Sequence, residues 1–189
     1  MSDFSLRDPA AGVDPLFHQR WSPRSFVKKG LSSDVLARLL DAARWSPSCF
    51  NAQPWRFYTS TEATFSEYLD LLMEGNQVWA KNAEVIGFMV ASLNFEHNGE
   101  ANPYAEFDCG AAWMALTLQA QAEGLYTHGM GGIHHDQVAQ YLNLSGDTHK
   151  VVMGFAIGHI GPRDALPHDL AERETPSPRK PLSELWNKG

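Results

Sequence analysis

Apolar residues Val35, Leu36, Leu39, Leu40 and Ala43 recur at three- and four-residue spacing, which predicts a helix over residues 34–44. Ser32 or Ser33 serves as its N-cap, and Asp34 lies in its first turn. Pro47 cannot continue that helix, so the stretch "SPSCFNAQPWRF" begins as a loop, and "WRFYTS" reads as the strand after it. A second helical pattern covers residues 64–73, and the dense apolar run "EVIGFMVAS" has the length of a buried strand. The polar "NFEHNGEANPY" is an exposed loop. Residues 107–123 form a long helix with apolar positions on nearly every side, closed by Gly124 as a C-cap, and such a helix belongs in the middle of the molecule. "LYTHG" and "KVVMGFAIGHIG" are two further strands, with the short helical segment "HDQVAQYLN" between them. After Gly161 the chain is rich in proline and charge and has no evident core-facing side; in a lone subunit such a tail is often disordered. The sum is one domain over residues 1–189, α+β or α/β, in three layers with four or five strands.

Composition narrows the function. With 43% hydrophobic and 20% charged residues the chain is an ordinary globular one, and no run reaches the length of a membrane span. A net charge of -7 argues against a general nucleic-acid binder, whose surface neutralises phosphates. The start of the chain carries acidic residues and prolines where a secretory signal has a basic flank and an apolar run, so the expected location is the cytoplasm. Cys49 and Cys109 are too few for a disulfide framework and read as small packing residues. A small-molecule protein is what remains.

Two segments carry candidate chemistry. In "RWSPRSF", Arg20 and Arg24 sit four apart with Ser22 between them, a set of fixed donors suited to a dianionic phosphate; alone, it reads first as solvated or Asp-paired arginines. In "SPSCFNAQPWRF", Pro47 fixes the backbone while Ser48, Asn51 and Gln53 present a hydroxyl and two carboxamides that suit the mixed edge of a heterocycle. The alternative is a loop whose amides bond its own backbone. His128, His134, His135 and Asp136 lack the spacing of a known zinc site and read as surface and loop residues, so no metal is expected. "GMGGIH" is not a dinucleotide fingerprint, because His134 stands where the third glycine belongs. Nothing around Ser48 or Cys49 resembles a nucleophile elbow. Tyr68, Trp79, Phe50 and Tyr104 read as core or interface aromatics before they read as a substrate pocket.

Taken together, Arg-x-Ser-x-Arg followed about two dozen residues later by Pro-Ser-x-x-Asn-x-Gln-Pro-Trp resembles the FMN-dependent nitroreductase family. "GNQVWAKNAEVIGFMVA", "AEGLYTHGMGGI" and "PRKPLSEL" are similar to further family segments, so the resemblance spans nearly the whole chain. It implies an α+β homodimer with a central, mostly antiparallel sheet flanked by helices, intertwined so that each FMN lies between subunits and the tail of residues 162–189 wraps the partner. It assigns the phosphate to Arg20, Ser22, Arg24 and Arg179, and the ring and ribityl edge to Ser48, Asn51, Gln53 and Asn76. Trp21, Pro47, Cys49 and Met130 complete the cofactor contacts, with backbone donors near Gly131 and Gly132. The implied activity is hydride transfer from NADH or NADPH through flavin N5 to an electron-poor acceptor such as a nitroaromatic or quinone, in a ping-pong sequence with no dedicated catalytic side chain. Trp21, Pro23, Ser46 and Ile133 depart from the family's common forms and leave the acceptor pocket open. The competing readings are a related flavoenzyme acting on an enone, a flavin or a halogenated substrate, and an FMN-binding module without catalysis.

Overall fold

In the computed structural model, which describes residues 2–188, the two longest apolar runs become neighbouring strands at the centre of the molecule. The strands are β1 (Phe26–Val27), β2 (Trp55–Thr59), β3 (Val85–Ser92), β4 (Tyr126–Met130) and β5 (His149–Ile160). All their pairings are antiparallel, and β5 organises the sheet: it pairs with β3 from Ile157 to His149, with β4 from Gly158 to Gly154, and with β1 at Ile160 and His159. β2 closes the far side by pairing with β3. The helices are α1 (Pro15–Gln19), α2 (Ser33–Arg44), α3 (Phe65–Asp70), α4 (Glu74–Ala80), α5 (Ala105–Ala122), α6 (His135–Tyr141), α7 (His168–Glu172) and α8 (Leu182–Leu185).

Strand alternation divides the core into two layers. On one face Ile86, Phe88 and Val90 of β3 pack with Tyr68 of α3, Trp79 and Ala80 of α4, and Val138 of α6. On the other, Val85, Met89 and Ala91 pack with Leu39 and Ala43 of α2 and with Cys109, Ala112, Leu116 and Ala120 of α5. The fold is therefore the three-layer α+β arrangement, with the antiparallel pairings deciding against α/β. α5 buries one side at helical spacing and leaves Phe107 and Met114 exposed on another.

Three expectations change. The helix expected over residues 64–73 stops at Asp70, because Leu72 bridges Ile133 and Met73 donates to the Gly132 carbonyl before a separate helix, α4, begins at Glu74. β1 is two residues long, too short for a periodic signal. The tail is not structureless: Leu166, Glu174 and Pro176 are buried, and Glu174 Oε1 accepts from the N–H groups of Arg24 and Ser25, both at 2.7 Å.

Gly87 shows how tightly the second layer is built. A Cβ there would fall 2.2 Å from Cζ of Phe155 and 2.8 Å from the Tyr58 carbonyl oxygen. Gly87→Ala should lower unfolding free energy by about 3 kcal/mol, the upper part of the overpacking range, in a urea titration. A change below about 0.5 kcal/mol would mean the aromatic ring has room to move.

Candidate functional site

A cleft of about 310 Å3 gathers Arg7, Arg20, Arg24, Arg173 and Arg179 with Ser22, Thr175, Ser177, Trp21 and His128. Three stretches of chain deliver the arginines. Arg20 and Arg24 flank an extended segment that leaves α1, Arg173 and Arg179 come from the tail, and Arg7 comes from the N-terminal arm. Among the described residues no carboxylate lines the cleft, and of its five arginines only Arg173 has an acidic side-chain partner, Asp169 at 3.8 Å. Burial and the charge of Arg179 lower the pKa of Arg20; burial, Arg179 and Arg20 do the same for Arg7. Like charges held together at this cost are arranged for an anion. Arg20 Nη1 also donates to Ser22 Oγ at 3.2 Å, turning that hydroxyl into the same ring of donors. Trp21 lines the cleft from a buried position, with its Nε1 unpaired.

β4 leads from this cleft to a second group. His128 lies in the cleft, and Gly131 follows three residues later, about 10 Å away at the rise of a strand. There Asn76 Nδ2 donates to the Gly132 carbonyl at 2.9 Å, and a Cβ on Gly132 would meet that nitrogen at 2.7 Å. The N–H groups of Gly131 and Gly132 donate to no backbone acceptor among the described residues, leaving a pair of free donors at the end of the strand. Met130 differs from its neighbours: its side chain is buried in the first core layer.

The loop after α2 stands apart. α2 packs on the second face of the sheet and Asn76 belongs to α4 on the first, so the groups of residues 47–53 do not join the arginine cleft within one chain. Phe50, Asn51 and Gln53 all have positive φ, at 51°, 54° and 47°. Such backbone is uncommon for Asn and an outlier for Phe, and persists only where surroundings enforce it. Here Gln53 N donates to Ser48 Oγ at 3.0 Å, and Cys49 N donates to Oδ2 of the buried Asp108 on α5 at 3.1 Å. Gln53 Nε2 bonds the Asn51 carbonyl, so Ser48 and Gln53 partly hold their own loop, as the simpler reading allows. The Asn51 carboxamide makes no hydrogen bond among the described residues and lines a separate concavity with Phe50, Gln53, Arg56, Glu96 and His97. Pro47 is exposed, while Pro54 and Trp55 are buried and start β2.

The decisive comparison is with whole families: the sequence model of the Nitroreductase family matches residues 18–159. The chain belongs to the nitroreductase family. It is 46% identical over 55 residues to 5,6-dimethylbenzimidazole synthase of Rhodospirillum rubrum, which covers 29% of this chain and 25% of that protein. It is 37% identical over 49 residues to nitrobenzene nitroreductase of Ectopseudomonas oleovorans, 26% of this chain and 22% of that one. The matches thus span a quarter or less of those two relatives. A crystal structure described as an oxidoreductase containing FMN is 42% identical, with a TM-score of 0.92, over 100% of this chain and 98% of the other.

Sequence reasoning did not find Arg7, Arg173, Asp108 or His128. Arg7 and Arg173 are isolated charges in segments without periodic signal, and Asp108 lies in the expected helix over residues 107–123 with no local motif to mark it. His128 is no loop histidine: strand alternation turns it inward, its ring centroid 4.7 Å from that of Trp79. Cys109 is buried in the core, where desolvation pushes its thiol to about 12 and leaves it a packing residue in a nitroreductase-fold core. Among the described residues no group of three or more His, Cys, Asp or Glu side chains is placed to hold a metal ion.

Burial, then the nearby charges of Arg24 and Arg20, depress His128 from its ordinary 6.5 to about 4, against the pull of the Pro23 and Ser22 carbonyls. The unfolded chain therefore binds a proton before the folded one does, so stability present above pH 6.5 is lost as pH falls towards 4. His128→Asn lacks that titration. Its stability relative to wild type should improve as pH drops through this window in parallel denaturant titrations; a constant difference would contradict the buried neutral imidazole.

Proposed function

We propose that this nitroreductase-family protein is an FMN-dependent oxidoreductase that works as a homodimer. The observation that carries the reading is the carboxylate-free arginine cleft, tied by one strand to the free N–H pair at Gly131 and Gly132. Those donors match the two ends of FMN: guanidinium groups and the Ser22 hydroxyl for the phosphate, backbone N–H groups and Asn76 for the polar ring edge. When bound, FMN supplies two-electron chemistry, taking hydride from NADH or NADPH and passing it in ping-pong fashion to an electron-poor acceptor such as a nitroaromatic or quinone. The protein's own part is binding and orientation. Arg20, Arg24 and Arg179 fix the phosphate, with Arg7 and Arg173 adding charge from the arm and the tail. Asn51, left unbonded on the other face of the sheet, is placed to contact a flavin held by a second copy.

Several features support the dimer. Phe107 and Trp45 are 78% and 75% exposed, and Leu182, Leu185 and Trp186 in the tail are exposed as well. Exposed apolar side chains of this size suit burial against a second copy. The crystal structure with 42% identity contains FMN, which supports the cofactor assignment. Two free cysteines fit residence in the reducing cytoplasm. Among the described residues no helix is long and apolar enough to cross a membrane.

Protein purified without added cofactor should be yellow, and heat should release a flavin that co-elutes with FMN and not with FAD or riboflavin. Under anaerobic conditions NADH or NADPH should bleach it, and nitroaromatics, quinones, enones and free flavins tested as oxidants should rank the acceptors. Arg20→Ala should weaken FMN binding by about 10- to 100-fold, the loss of a charge-assisted pair, while the FMN-saturated variant keeps its hydride-transfer rate. Undiminished affinity in that variant would remove Arg20 from the site, and a colourless protein that takes up no FMN would remove the cofactor.

A further inference from the structure

The segment from Arg20 to Arg24 brings two arginines to the phosphate cleft from outside any helix or strand. The Arg20 carbonyl accepts from Arg7 of the N-terminal arm at 2.8 Å, and the Arg24 N–H donates to Glu174 of the tail. Both anchors lie on excursions of the chain outside the sheet. Pro23 sits between them, without an N–H to offer and with its φ fixed by its ring. Its carbonyl ties residues 20–24 to the sheet, and its partner is His128 Nδ1 on β4, at 2.9 Å. A carbonyl only accepts, so Nδ1 carries the proton. Trp79 of α4 packs against the ring, while Arg20, Arg24, Arg173 and Arg179 share the cleft, which disfavours a second proton.

We propose that His128 is a positioning residue for cofactor binding: its Nδ1–H holds the Pro23 carbonyl and so fixes the arginine-bearing segment to the strand that also presents Gly131 and Gly132. One strand then sets the spacing between the phosphate end and the ring end of the site. The inference rests on the FMN reading above. It asks for a neutral imidazole with a defined tautomer and gives the side chain no contact with the reacting atoms.

The test compares two amides of similar character. The Asn nitrogen lies three bonds from Cα, as His Nδ1 does, whereas the Gln nitrogen lies one bond further out. FMN release from full-length holoprotein on dilution, followed by recovery of flavin fluorescence, should be about tenfold faster for His128→Gln and within about twofold of wild type for His128→Asn. Equal release rates from the two variants would overturn the proposal. Wild-type protein that retains no FMN would instead overturn the cofactor reading, and nitrogen NMR of histidine-labelled wild type still decides on His128. An Nδ1–H tautomer at pH 7 is the expected result. An Nε2–H tautomer would overturn the positioning role, and this measurement holds even if both variants fail to fold.

Discussion

Repulsion among half-buried and exposed guanidinium groups is the constraint on which the rest of this molecule turns. Five arginines from the N-terminal arm, the segment after α1 and the tail converge on a cleft without a carboxylate. Bringing them together costs desolvation and Coulomb energy, visible in the lowered pKa of Arg7 and Arg20. A fold keeps such a cluster where an anion recovers that energy, and a phosphate with several oxygens suits planar donors better than any side chain present. The tail acquires its meaning from the same fact. Glu174 pins it to Arg24 and Ser25, so that Arg173 and Arg179 close the cleft from a direction the sheet does not reach.

The sheet supplies the second constraint, which is distance. β4 is a short strand with His128 at its middle, lining the charged cleft, and free N–H groups just past its C-terminal end. A ligand that satisfies both ends must carry its phosphate and its polar ring edge apart by a flexible connector, as FMN does. The amide loop of residues 47–53 lies beyond the sheet on the layer of α2 and α5, strained at Phe50 and braced by Asp108. On the reading proposed above, pairing of two copies brings this loop to the cleft of the other copy, and the exposed Phe107 and Met114 of α5 would lie at that contact.

The central strands were legible because burial on both faces writes a continuous apolar run, as in "EVIGFMVAS" and "KVVMGFAIGHIG". α2 was legible through its spacing and its Ser32 cap, which accepts from Val35 N at 3.3 Å. β1 and α1 were not, being too short to repeat. The break between α3 and α4 is a tertiary effect, imposed by pairing of Leu72 with Ile133 sixty residues on, and no local pattern records it. In the site, Arg20, Ser22, Arg24 and Arg179 announced themselves through motif and order. Arg7 and Arg173 acquire meaning only from chain return, and His128 was hidden by the run of histidines after it. The positive φ at Phe50 runs against residue type and had no signature at all.

Whether a flavin site is shared between two chains is decided most directly by mixing protomers. Arg20→Ala disables the phosphate end and Asn51→Ala the amide loop; each homodimer then has every site damaged once. In the mixed dimer one site carries both lesions and the other carries neither; random equilibration of equal amounts makes about half of the dimers mixed, so tight FMN binding should return to about a quarter of all sites. Mixed protein that binds no more tightly than the separate variants would show that both groups act within one chain or not at all, contrary to the arrangement described.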